Sequence, residues 1–385
     1  MNLTEMLSYA DIRELDRIAR HYDCECGGHS KHELIQSILT ALNRRDLFER
    51  QIEGMPVTYI RLLDSLASDK RESFTLEELT ARVNMAHWDA DPAPAASPRD
   101  IIADLKRRGW LFSGFSEQTK YLFQVPDDMK RRFTDVLAGH FRRTLVMPTS
   151  SPAVYRDEQQ LFGEDMVQFL RLLAHEPMPL ADTGSLYKRQ LQLILDSFTV
   201  EEEQVVRTAF RFGYGRRFKE YPNRFSLMYD YCYYNGYIEE DGPLLKLGER
   251  GDRLVASGQK PGIVPMFRFW LRLYKGPVAS IGSVARWIER LAKPWTTVVS
   301  LGAELMPLIK PYYYDTPASI FEQRIVMPMM HLGLLRIGQD EEYGQVVQMT
   351  KLGSGVVAGT TADEEEAIRL DLPEDGASSR SRYDR

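Results

Sequence analysis

Residues 222–247 read Pro222-Asn-Arg-Phe225-Ser-Leu-Met228-Tyr229-Asp-Tyr-Cys232-Tyr-Tyr-Asn235-Gly236-Tyr237-Ile238-Glu-Glu-Asp241-Gly242-Pro-Leu244-Leu245-Lys-Leu247. Phe225, Met228, Tyr229 and Cys232 recur at helical spacing, so one face of a helix is apolar. Pro222 can open that helix, because the N–H it lacks would have no partner there. Asn235-Gly236 ends it, since glycine accepts the left-handed backbone that closes a helix. Tyr237 and Ile238 then enter a short ribbon that turns at Asp241-Gly242 and returns through Leu244, Leu245 and Leu247. The order is helix, glycine stop, hairpin.

The order occurs twice more. Lys106-Arg107-Arg108-Gly109-Trp110 stops a helix opening near Pro98, with residues 121–125 returning; Met330-His331-Leu332-Gly333-Leu334 stops another, with Val346, Val347 and Met349 returning. Upstream of each stands an apolar helix marked by Ile60-Arg61-Leu62, Leu170-Arg171-Leu172 or Leu271-Arg272-Leu273. In the last two copies Pro177 and Gly184-Ser185 match Pro277 and Gly282-Ser283, and Lys246-Leu247-Gly248 is matched to Lys351-Leu352-Gly353. A repeat of about one hundred residues follows. The expected fold is mainly α with short β-hairpins. Its domains are a helical module over 1–50, repeats over 54–145, 161–260 and 261–360, a linker over 146–160 and a disordered acidic tail over 361–385.

Helix, stop and hairpin resemble the second half of a winged-helix domain. The whole chain resembles tandem winged-helix arrays such as the helicase-associated region in front of XPB-type helicases. Residues 1–50 are expected to form two helices, Ser30 and Glu33 having the spacing of a capping box for the second. Leu15, Ile18, Ala19 and Tyr22, followed by Gly28, Ser30, Lys31, Leu34, Ile35 and Ile38, resemble the SAP and Rho N-terminal modules. The resemblance implies a non-enzymatic nucleic-acid-binding protein, DNA more than RNA, that accompanies a helicase or another DNA transaction. The alternatives are an adaptor using winged helices as protein-packing modules, and a transcription regulator.

The net charge of -6 is unevenly spread. Residues 97–143 hold ten Lys and Arg against six acids, and 204–224 hold six against one, whereas 363–385 hold eight acids against four arginines. Phosphate contact is therefore expected from Lys31, from Arg99, Lys106 and Arg107 on the helix after Pro98, and from Lys120 in its ribbon. Lys130, Arg131 and Arg132, followed by Arg142 and Arg143, extend the field. In 211–221, Arg211, Arg216, Arg217 and Lys219 alternate with Phe212, Tyr214, Phe218 and Tyr221. That interleaving suits single strands, whose bases stack on rings, and Arg224 follows it. The acidic Glu239-Glu240-Asp241 would be repelled by a phosphate backbone. Met266, Phe267, Phe269, Trp270, Leu271 and Leu273 leave a helix apolar nearly all round, so 261–360 are expected to bind a helicase or other protein partner.

His21, Cys24, Cys26, His29 and His32 supply five possible zinc donors, but Cys-x-Cys with close histidines matches no usual pair, and no metal is assigned. No phosphate-cradling Gly-x-x-x-x-Gly-Lys-Ser/Thr loop, nucleophile elbow or His-Glu-x-x-His pair is present. No catalytic residue and no cofactor are expected. Three cysteines, the charged N-terminus and the lack of an apolar run of membrane length point to a cytoplasmic protein without membrane contact.

Overall fold

The computed structural model describes residues 1–24, 30–69, 71–88, 96–205 and 211–360. These residues are mainly helical, with small antiparallel sheets. The chain divides into two compact units. Unit 1 holds Met1–Ser151, Gly282–Lys310 and Tyr343–Gln345, and unit 2 holds Pro152–Ile281, Pro311–Glu342 and the chain from Val346.

The three glycine stops share one geometry. Gly109, Gly236 and Gly333 have φ of 66°, 68° and 70°. In each, the glycine N–H donates to the carbonyl three residues back (Lys106, Tyr233, Met330), and the next N–H donates to the carbonyl five back (Leu105, Cys232, Met329). This pair of bonds is the Schellman closure, which satisfies carbonyls that a helix end leaves unpaired. The helices so closed are Pro98–Arg107, Asn223–Tyr234 and the run ending in Met327–His331, and each leads into a hairpin. Before the first two, a short extended segment pairs with the returning strand: Phe74 with Phe123, and Met178–Pro179 with Leu244–Leu245.

The match of Lys246-Leu247-Gly248 to Lys351-Leu352-Gly353 is off by three residues. The N–H groups of Gly248 and Thr350 donate to the carbonyls of Tyr237 and Leu334, which directly follow the two stop glycines. A Cβ on Gly251 or on Gly353 would lie 2.2 Å from those same two carbonyl oxygens. Gly251 is therefore the counterpart of Gly353: both let a helix start cross the stop closely enough that no side chain fits.

In unit 1, residues 1–53 form four helices rather than two: Leu3–Tyr9, Ile12–His21, Lys31–Asn43 and Arg45–Glu53. Asp11 causes the first division, its carboxylate accepting from the Glu14 N–H and opening a new helix. Ser30 precedes the third helix without a side-chain cap, whereas Thr75 and Glu78 form a full capping box on Leu76–Ala86. Trp110, 1% exposed, stacks on Phe48 at 5.0 Å and meets Phe133 edge-on, so the residue after the first stop joins the N-terminal helices to Asp127–Thr144. Residues 282–310, from the third repeat, also pack here: the Trp287 indole N–H donates to buried Asp64 over 2.8 Å.

In unit 2, Phe169 of Leu161–His175 packs on Phe225 and Tyr229 of Asn223–Tyr234, and Trp270 of Ile263–Lys275 is fully buried against Phe267 and Tyr274. Part of the expected linker is built in, because Val154–Arg156 pairs antiparallel with Leu335–Asp340 and Glu158 is 1% exposed. The third closing helix is widened into a π-helix over Ile320–Val326. Pro328 explains it: without an N–H it cannot bond the carbonyl of Arg324, so the turn before it loosens.

Candidate nucleic-acid interface

Arg224 is fully buried, its guanidinium 3.0 Å from Glu158 and 2.7 Å from Asp165. Glu202 accepts from the N–H groups of Arg224 and Phe225, and His331 Nδ1 lies 3.0 Å from Glu158. Burial penalises the ionised form of Glu158. The hydrogen bond from His331 and the charges of His331, Arg224 and Arg156 outweigh that penalty and bring its pKa down to about 2. Burial prevails at Glu202, whose pKa is raised. Arg224 is thus an internal counter-ion and is withdrawn from the contact set.

The loop before it is held in the same way. Arg216 and Arg217 both reach Glu240, at 3.0 and 3.1 Å, and the Tyr229 hydroxyl donates to the same carboxylate over 2.8 Å. The Arg216 guanidinium also lies 3.9 Å over the Tyr233 ring, and Arg217 donates to the Thr183 carbonyl over 2.8 Å. Tyr214, Phe218 and Tyr221 are buried, and the Tyr221 hydroxyl accepts from the Leu186 N–H. The rings anchor the loop instead of offering faces to bases, so Arg216 and Arg217 are corrected to structural cations. Arg211 is half-buried against Asn223, and Lys219 is exposed. Beneath the loop, Asp230 is buried against the Arg216 N–H, and burial raises its pKa to about 7.

In unit 1 two expected cations are also internal. The Arg132 guanidinium donates to the carbonyls of Leu42 and Asn43, at the end of Lys31–Asn43, and lies 4.1 Å over Phe48. It caps a helix. Lys130 has a side chain 12% exposed, 4.0 Å from Asp127. Arg142 donates to the Arg290 carbonyl, and Arg143 pairs with Glu53.

Lys31, Arg99, Arg107, Lys120 and Arg131 keep exposed side chains, and Lys106 is partly exposed. Arg107 pairs with Asp104 on its own helix yet remains 59% exposed. Several of these surround the hairpin of strands Phe112–Ser113 and Phe123–Gln124. Lys106 donates to the Ser113 hydroxyl over 2.9 Å, and Lys120 sits at the hairpin tip beside Glu117. Lys31 donates to the Ser8 carbonyl over 2.7 Å, and the adjacent Tyr9 stacks on Phe115 of the hairpin with centroids 4.0 Å apart and planes 11° apart. Tyr9, Phe115 and Tyr121 are 57%, 59% and 73% exposed. These rings are the part of the site that the sequence does not disclose. Phe115 and Tyr121 lie in the expected ribbon, but nothing in the chain order links them to Tyr9.

No family model, no curated protein and no solved structure matches the chain.

Among the described residues no group of three or more His, Cys, Asp and Glu side chains is placed to hold a metal; Cys26 and His29 of the suspected set lie outside those residues. No described helix is long and apolar enough to cross a membrane.

Proposed function

We propose that the chain is a non-enzymatic nucleic-acid-binding protein of the tandem winged-helix kind, an accessory to a helicase or similar DNA transaction, contacting nucleic acid through unit 1. The observation that carries this is the hairpin after Gly109, where Lys120 lies 5.2 Å from the exposed Tyr121 ring and Lys31 bonds the Ser8 carbonyl next to Tyr9, which stacks on Phe115; Lys106, at the base of the hairpin, pairs with Glu14 over 3.7 Å. Lys31 is exposed and Lys120 pairs with the exposed carboxylate of Glu117, so both can take phosphate and release counter-ions, whereas Arg216, Arg217 and Arg224 hold carboxylates that are themselves largely buried. The shared stop geometry and the strand pairings of the first two repeats support modules of winged-helix type.

The test is fluorescence anisotropy of the full chain with labelled single-stranded and duplex DNA at low salt. Lys31→Glu with Lys120→Glu is expected to weaken binding about tenfold or more, since each lost contact removes a counter-ion release term. Unchanged affinity, or no binding by the parent protein, overturns the proposal.

A second reading, a protein partner on the third repeat, is favoured by one observation in unit 2. Tyr313, at φ 50°, and Tyr314 are 71% and 63% exposed beside the Phe212 ring. Exposed aromatic groups of this kind are common at protein interfaces.

A further inference from the structure

We infer that Tyr9, Phe115 and Tyr121 form a stacking platform for unpaired bases, so that the ligand class of this hairpin is single-stranded nucleic acid; the inference rests on the proposed function above. Tyr9 and Phe115 already stack on each other, and their exposure leaves ring surface open to a further planar group. Tyr121 is the most exposed of the three, and the Lys120 ammonium lies 5.2 Å from its centroid. Rings beside cations are the combination that holds a single strand: a base stacks on the ring while the cation takes the phosphate. A closed duplex keeps its base faces stacked inside and offers these rings nothing.

The tip is held ready for such contact. Ser116 and Thr119 bond through their hydroxyls at 2.8 Å and each backbone N–H donates to the other's hydroxyl, while the Lys120 N–H donates to the Ser116 carbonyl. Gly114 closes the base of the tip so tightly that a Cβ there would lie 2.3 Å from the Thr119 carbonyl oxygen. A fixed loop loses little freedom on binding, which favours affinity. Lys120 is paired with Glu117, but that carboxylate is 90% exposed, and a surface pair of this kind yields readily to phosphate.

The experiment uses the full chain, with a single-stranded oligonucleotide of about 16 nucleotides carrying 2-aminopurine, and the same sequence as a blunt duplex. The parent protein is expected to bind the single strand more tightly and to quench the 2-aminopurine. Tyr9→Leu with Phe115→Leu, and separately Tyr121→Leu, should each weaken single-strand binding about fivefold or more and relieve the quench, while duplex affinity changes less than about twofold. Tyr121→Trp should restore both, which a purely structural role would not require. Thermal melts of each variant show whether it is folded, and Tyr121, which packs on little, covers the case in which the pair destabilises the hairpin. Leucine variants that bind and quench like the parent overturn the inference alone, provided Lys31→Glu with Lys120→Glu still weakens binding. Equal affinity of the parent for strand and duplex also overturns it, and a parent that binds neither overturns the proposed function with it.

Discussion

Alanine placed at each of the three stop glycines gives three different losses, because the backbone angle is shared and the surroundings are not. At Gly236 an added Cβ meets only Arg250 Cδ, at 3.7 Å, so the loss is the left-handed penalty of about 1–2 kcal/mol, less about 0.4–1 kcal/mol returned by stiffening the unfolded chain. At Gly109 it comes within 3.3 Å of Ile18 Cγ2, a side chain that can shift, so the contact adds less than the about 1–3 kcal/mol usual for overpacking and about 1–2 kcal/mol is expected in all. At Gly333 it would lie 1.9 Å from the Gln159 carbonyl oxygen and 2.6 Å from its carbon, so backbone must move and about 3 kcal/mol or more is expected. Urea unfolding, with hydrogen exchange to assign each loss to unit 1 or unit 2, measures the series. Equal losses at Gly236 and Gly333 would refute the reasoning, since they deny the close contact at Gly333.

Arg224→Ala strands Glu158 and Asp165 in the interior and should destabilise unit 2 by about 3–5 kcal/mol, read by urea unfolding, while the folded fraction keeps its affinity for DNA. Arg217→Glu sets a carboxylate against Glu240 at a side chain only 15% exposed, so a lowered Tm is expected without a change in the salt dependence of binding. Asp230 titrates higher in the folded protein than in the unfolded chain. Its stabilising effect is therefore complete below about pH 4 and is lost as pH rises through about 7; Asp230→Asn should flatten that part of a stability profile measured by chemical denaturation.

Helix ends and apolar faces were legible in the sequence because they are local. Phe225, Met228, Tyr229 and Cys232 are all fully buried as their spacing required, and each stop glycine is left-handed. Ile101, Ile102 and Leu105, at helical spacing after Pro98, are likewise buried. The cations were less legible, because an arginine beside aromatic residues reads the same whether its carboxylate is absent or far along the chain. Glu240 lies more than twenty residues from Arg216 and Arg217, and Glu158 lies 66 from Arg224, separations that no periodicity reveals. The acidic ribbon 239–241 and the basic loop 211–219 each stood out by charge, yet they answer each other through Glu240. The exposed rings went unread for a related reason: Tyr9 and Phe115 meet only when the N-terminal helix packs beside the first hairpin. The division of 261–360 between two units is likewise invisible to a repeat search, which sees similarity of sequence and not which neighbour a helix packs against.

The most direct measurement is the affinity of the full chain for single-stranded DNA across a salt series, for the parent and for Lys31→Glu with Lys120→Glu. Log affinity of the parent should fall linearly with log salt, with a slope of about -0.7 for each phosphate held, and the double variant should lose more than one unit of that slope. A parent whose binding ignores salt, or a variant whose slope equals the parent's, would contradict a phosphate-binding face on the first hairpin.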